Sequence, residues 1–399
     1  MIIMIVCLSP NGRATSRNEA PATTVMIGTL RGVYSMTRAR RDEPWVTQEV
    51  GLADRHISSL LYEPVSKLLF AGIHGRAEAG GLFVSADLGR TWEPRMSGLD
   101  RTHVYTLAAE QRGERTILYA GVEPAALYRS TDLGLSWQDL SALRDVPGTE
   151  KWIFPPPPHI AHVKGVTFDP VKPGTLYALV EQGAVLKSID DGASWNEIHS
   201  YSSAEDSFYR DVHRLVIASK NPKRLHLATG DGLYFSADGG ETWEHQQKRS
   251  DRVGYPDALF LDPTDDETVY MGGAGDAPET WRKEGGAFPG FIVSRDSGRN
   301  WSELMRGIPQ PVHGNIEAIA MHSWPGGLEF FAGTAVGDVF ATEDGGNTWA
   351  LVAPGLPPIS KARHYRHFLS AEEKARIENE AKAERRAEGL ADRAYHSNP

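Results

Sequence analysis

The residues of this chain that are equipped for chemistry fall into two series. Immediately before the first apolar position of a recurring β-prone run stand His364, His56, His103, His162, Asp211, Tyr255 and Asn315. Two residues later in the same runs stand Arg366, Ser58, Tyr105, Lys164, His213, Asp257 and Glu317. Side chains two apart on a strand share a face, so runs set around an axis would stack the two series as polar rings. Three chemistries suit such rings. His56, His103, His162 and His364 could hold one divalent metal ion in a central tunnel, since imidazole with carboxylate suits Zn, Mn or Fe. The same histidines with Asp211 could act as general acid and base near neutral pH, with Lys164 and Arg366 steadying developing negative charge. The whole set, with His213, Tyr255, Asp257, Asn315, Glu317 and Tyr105, could instead hydrogen-bond a polar ligand. The plain alternative is a water-filled channel with an ordinary polar lining. His74, His159, His313 and His367 lie nearby in sequence and, taken singly, read as structural or solvated. No phosphate-binding loop, nucleophile elbow, HExxH or CxxC pattern accompanies them.

A second pattern announces the elements that would position these residues. Ser236-Ala237-Asp238-Gly239-Gly240-Glu241-Thr242-Trp243 reads S-x-D-x-G-x-[TS]-W. It returns at Ser85–Trp92, Ser130–Trp137, Ser188–Trp195, Ser294–Trp301 (with Asn300 before the Trp) and Thr342–Trp349. Successive Trp residues are 45 to 58 positions apart, which defines a repeat architecture. In each copy the carboxylate (Asp87, Asp132, Asp190, Asp238, Asp296, Asp344) accepts backbone N–H groups of a tight turn, and the Gly takes the positive φ that a Cβ would resist. Six separated copies of one acid are of no use to a single active site, so these Asp residues are structural. They resemble the Asp-box, or BNR, repeat of sialidase-like β-propellers, and the resemblance runs over nearly the whole chain.

Each repeat holds four β-prone runs, as in His56–Tyr62, Lys67–Ile73, Gly81–Ser85 and Thr91–Pro94, which fits a propeller blade. Trp45, 47 residues before Trp92, supplies a seventh anchor although residues 37–43 lack the motif. The first blade has no innermost run of its own, and His364–Leu369 supplies one. The expected fold is therefore all-β: a seven-bladed β-propeller of four-stranded blades over residues 26–369, closed by a C-terminal strand that removes exposed edges. Residues 1–25 are expected to form a disordered tail, because residues 9–24 are rich in Ser, Asn, Arg, Thr and Pro. The apolar start before them is too short to span a bilayer and, lacking a basic segment, is at best a weak signal peptide. Residues 370–399 open on the capping box Ser370-Ala371-Glu372-Glu373 and read as an exposed charged helix and tail, which could dock a protein partner.

The balance of 42 basic against 52 acidic residues, with no basic patch interleaved with aromatics, excludes nucleic acid as an expected partner. The lone Cys7 excludes an internal disulfide framework, and a cytoplasmic location without membrane contact is expected. Three long insertions, Asp145–Ala161, His199–Arg210 and Ala274–Phe288, fall in the connections that should crown the ring face. They bring Trp152 and Trp281 towards it, and insertions gathered on one face mark a binding face.

These features favour an enzyme of hydrolase or lyase type acting on a polar small molecule or saccharide at the tunnel mouth. Resemblance to sialidases implies an arginine triad, a Tyr/Glu nucleophilic pair and an acidic Asp. No Arg-Ile-Pro motif occurs here and Arg366 is the one ring arginine, so sialidase activity is not expected. Asp-box xyloglucanases, which pair two propellers, also differ from this single one. The alternative is a non-catalytic binding or assembly scaffold, as resemblance to photosystem assembly factors and sorting receptors implies. Four histidines with Lys, Arg and Asp at one mouth favour the enzyme.

Overall fold

Each Asp-box is a turn closed by its own side chains. In the fourth copy Ser236 Oγ donates to Asp238 Oδ1 at 2.8 Å and accepts from the Gly240 N–H at 2.9 Å. The same carboxylate accepts the Thr242 N–H at 3.0 Å and the Thr242 hydroxyl at 2.6 Å. Gly240 has φ +97°, and a Cβ there would meet Ile198 Cγ2 at 2.6 Å, so both backbone and packing exclude a side chain. Backbone and hydroxyl bonds from Thr91 hold the Asp87 carboxyl down at about 2. The Trp that ends a box ties neighbouring sheets together: Trp137 Nε1 donates to Arg95 O at 3.0 Å and Trp349 Nε1 to Leu304 O at 2.8 Å, each in the preceding blade.

The computed structural model describes residues 4–360 apart from 13, 76–78, 156–158, 199–209, 282–285 and 313, together with 379. Its strands form seven sheets, which are seven blades of at least four strands each. Blade 3 runs His103–Arg112, Arg115–Glu123, Ala126–Ser130, Gln138–Asp139 from the inside out, and blades 2 and 4–7 repeat that antiparallel order. The core is divided into wedges between adjacent sheets. Leu61, Phe70 and Leu82 of blade 2, for example, pack on Val104, Leu118 and Tyr128 of blade 3. Trp45 fulfils the anchor role expected of it in blade 1, packing edge-on against Phe331 with centroids 5.8 Å apart.

The N-terminal segment departs from expectation. Ile5–Leu8 is no disordered tail but the innermost strand of blade 1, buried throughout and parallel to Thr24–Thr29. Four consecutive apolar residues need burial on both faces, and the inside of a blade provides it. The chain then turns back down the central channel. Asn11–Gly12 pairs with blade 2 opposite Ser59 and Leu60, and Thr15–Arg17 pairs with blade 7 opposite Met321–Ser323. The closing strand expected at His364–Leu369, the ring residues His364 and Arg366, His313, His367 and the helix expected from 370 lie outside the described residues, residue 379 excepted. No helix among the described residues is long and apolar enough to cross a membrane.

One irregularity recurs and sets the site. The ladder between the first and second strands slips between Ile57/Ser59, Val104/Thr106, Val163/Gly165, Val212/Arg214, Pro256/Ala258 and Ile316/Ala318. The residues skipped are Ser58, Tyr105, Lys164, His213, Asp257 and Glu317, every described member of the second series. A β-bulge leaves its extra residue out of the ladder and re-aims the side chain.

Candidate functional site

The described members of the first series sit one step above the bulges, and each faces a partner on the second strand of its own blade. His103 lies opposite Glu123, and the carbonyls of His56, His162, Asp211 and Asn315 accept from the N–H groups of His74, Glu181, Gly230 and Ala335. Tyr255 lies opposite Ala274. Blades 2–4 thus add titratable side chains, and blades 5–7 add only Gly or Ala. The second strands are thus one-sided in what they add, although blades 5–7 supply Asp211, His213, Tyr255, Asp257 and Glu317 on or directly before their first strands.

The titratable groups form a connected chain. His103 Nε2 is 2.6 Å from His74 Nδ1, and its Nδ1 is 3.3 Å from Glu123 Oε1. Glu123 Oε2 is 3.6 Å from His162 Nδ1, whose Nε2 is 2.6 Å from Glu181 Oε2. Lys164 Nζ donates to Glu181 Oε1 at 2.6 Å and to Asp257 Oδ1 at 3.0 Å, joining the two rings across the mouth. Tyr255 donates to Asp211 Oδ2 at 2.9 Å, and His213 Nδ1 is 2.6 Å from Pro256 O. Tyr105 stacks on His162 with centroids 3.6 Å apart, and Phe154 meets His162 edge-on at 4.8 Å. The Asp145–Ala161 insertion therefore reaches the ring mouth. From the insertion of blade 6, Trp281 packs with Tyr255.

Other expected residues take different places. Ser58 is a staple, its hydroxyl donating to Gly72 O at 2.9 Å and Val104 O at 2.5 Å. Trp152 is half-buried against the blade 4 core. His56 lies with its ring 4.6 Å from His74. Asn315 is 2% exposed, and neither polar atom of its amide has a hydrogen-bond partner among the described residues. His162 directs both ring nitrogens to carboxylates, and His103 directs Nδ1 to Glu123 and Nε2 to His74. The metal-type donors that converge among the described residues are Glu181, Asp211 and His213.

Burial pushes the Glu123 carboxyl up, but His103 and His162 outweigh it and hold it well below the usual carboxylate range. Burial and Lys164 push the His213 imidazole down, and Asp257 and Asp211 overcome both to raise it. Burial, with Glu181 adding to it, keeps the Tyr105 phenol neutral. Carboxylates outnumber permanent cations here: Glu123, Glu181, Asp211, Asp257 and Glu317 are buried, facing Lys164 and Arg214.

Glu123, Glu181 and His74 were not singled out as ring members from sequence, and His74 is no isolated structural histidine. Their signal was present: counting each blade's second strand against its first brings His74, Glu123 and Glu181 opposite His56, His103 and His162.

A family model described as BNR/Asp-box repeat matches residues 234–245. Among curated proteins the oligoxyloglucan-reducing end-specific xyloglucanase of Emericella nidulans is 22% identical over 217 residues, 49% of this chain and 24% of that protein. The chain thus spans about a quarter of the length of that relative. Among solved structures, the GH74 xyloglucanase from Xanthomonas campestris aligns over 75% of this chain and 45% of its own at 18% identity, TM-score 0.53. The GH74 enzyme of Niastella koreensis aligns over 74% and 45% at 17% identity, TM-score 0.53. YCF48 from Cyanidioschyzon merolae aligns over 78% and 89% at 13% identity, TM-score 0.50. These likenesses are of fold.

Proposed function

We propose that this chain, an Asp-box repeat β-propeller with a glycosyl-hydrolase-like fold, binds a polar ligand of the saccharide class over its channel mouth and cleaves it by acid–base chemistry. The observation that carries this reading is the connected chain His74–His103–Glu123–His162–Glu181–Lys164–Asp257. Buried ion pairs are weak sources of stability, and apolar residues of similar volume often serve a core as well or better. A run of such groups at one mouth is where perturbed proton affinities serve chemistry. The xyloglucanase named above acts on a saccharide, which supports that ligand class.

In hydrolysis water adds across a C–O bond. A base takes one proton from water while an acid delivers one to the leaving oxygen. Glu181 and Asp211 offer the carboxylates, and the His213 imidazole, 3.8 Å from Glu181 Oε1 and 3.4 Å from Asp211 Oδ1, can return the proton between them. Lys164 and Arg214 supply positive charge for an oxyanion. Gly230, Ala274 and Ala335 put nothing larger than a methyl group opposite Asp211, Tyr255 and Asn315.

The test is release of reducing ends from a panel of oligosaccharides that includes xyloglucan fragments. Glu181→Gln is expected to lower turnover by more than about 100-fold, the scale of general acid–base assistance. Turnover by the wild type that is unaffected in Glu181→Gln would refute the assignment. Retention of glycans without turnover would favour a binding module.

A further inference from the structure

We propose that Glu181, Asp211 and His213 form a site for one divalent first-row metal ion, of the Zn²⁺ or Mn²⁺ kind, at the floor of the mouth. This deepens the reading above and rests on the same mouth. One ligand atom from each residue lies within 4.8 Å of the others, and all three residues are buried. His213 Nε2 makes no hydrogen bond among the described residues, although the residue is 1% exposed. It lies 3.4 Å from Asp211 Oδ1 and 3.8 Å from Glu181 Oε1. With Nδ1 directed at the Pro256 carbonyl, the ring carries its proton there and turns the Nε2 lone pair towards two carboxylate oxygens. A lone pair facing two anions is repulsive unless a cation joins them. A proton on Nε2 meets that need in the metal-free chain, and a metal ion replacing it would release it.

The surrounding bonds are those that hold metal ligands in place. The His213 ring is oriented by the Pro256 carbonyl, the Asp211 carboxylate by the Tyr255 hydroxyl and the Glu181 carboxylate by His162. Lys164 is the competing cation, since its ammonium holds Glu181 Oε1. It also holds Asp257, and that bond can remain when an ion takes the Glu181 oxygen. Bonds of about 2.0–2.2 Å to one ion put donor atoms roughly 3–4.4 Å apart, within small side-chain rotations of the present spacing. One imidazole and two carboxylates suit Zn²⁺ or Mn²⁺ better than the all-oxygen shells of Ca²⁺ or Mg²⁺.

The experiment is calorimetric titration of the EDTA-stripped full chain with Zn²⁺ and, separately, Mn²⁺. One ion per chain is expected, with binding weakened at least tenfold in Asp211→Asn and about tenfold in Tyr255→Phe, which keeps all three ligands. His226→Phe, remote from the mouth, should bind as the wild type does. No stoichiometric ion, or unchanged affinity in both mouth variants, overturns the inference. Should Asp211→Asn not fold, unchanged affinity in Tyr255→Phe alone overturns it. Ion binding without oligosaccharide turnover would defeat the hydrolase reading and leave the metal site standing. Turnover in a chain that binds no ion would do the reverse.

Discussion

At the residue scale, the histidines of this chain divide by what surrounds them. His226 is buried beside Phe235, with both ring nitrogens lacking hydrogen-bond partners among the described residues. Burial, aided by Arg224, drives its imidazole down to about 3. Because the folded value lies below the unfolded 6.5, the neutral ring contributes stability above pH 6.5 that is lost as pH falls from 6.5 towards 3. At pH 5 the loss is about 2 kcal/mol, and His226→Phe is expected to abolish it, which melting curves between pH 4.5 and 7 would reveal. His103, His162 and His213 at the mouth face carboxylates instead, and that contrast separates core from site. Among Gly230, Ala274 and Ala335, Gly230 is the sharpest single position: a Cβ there would meet Asp211 Oδ2 at 2.3 Å. Gly230→Ala is expected to displace Asp211 and weaken ligand retention at least tenfold with the propeller still folded, as a glycan-binding assay beside far-ultraviolet circular dichroism would register.

At the element scale, the same repeat that closes the turns also aims the chemistry. Asp238→Ala removes the acceptor of four hydrogen bonds in an exposed turn and is expected to lower the melting temperature while oligosaccharide turnover at 25 °C persists. Turnover lost in step with stability would mean that box and mouth are not separate devices. The boxes were legible because S-x-D-x-G-x-[TS]-W needs one geometry wherever it occurs. The rings were legible because strand periodicity places residues two apart on one face. The bulge was not, since an unpaired residue leaves no mark in an apolar alternation that continues past it. Nor were Glu123 and Glu181, because Glu123 ends and Glu181 directly follows a second strand whose neighbours read as ordinary core. Only pairing that strand with its predecessor reveals them.

At the scale of the whole molecule, closure involves the N-terminal segment, which composition alone assigned to a tail. The polar stretch after Leu8 looked solvated because its partners, blades 2 and 7, are distant in sequence. The seam also carries a titratable group. Burial drives the Glu329 carboxyl up to about 7 against the opposing Ala22 N–H and Arg38. A raised carboxyl contributes stability that is full below its unfolded value near 4.5 and lost as pH rises through about 7. Glu329→Gln is therefore expected to flatten the fall in stability between about pH 4.5 and 7.5, as melting curves across that range would show.

The central claim is that the polar mouth exists for a ligand and is held at some expense to stability. Asn315 tests it most directly, because its buried amide has no protein partner among the described residues. Replacing it by Leu removes an unsatisfied polar group, which in a purely structural channel is neutral or stabilising by about 1–3 kcal/mol. The measurement is paired: melting temperature and retention on an oligosaccharide array, for wild type and Asn315→Leu. A melting temperature equal or higher with retention reduced at least tenfold is the predicted result. Retention unchanged in the variant, or a wild type that retains no glycan, would contradict the account.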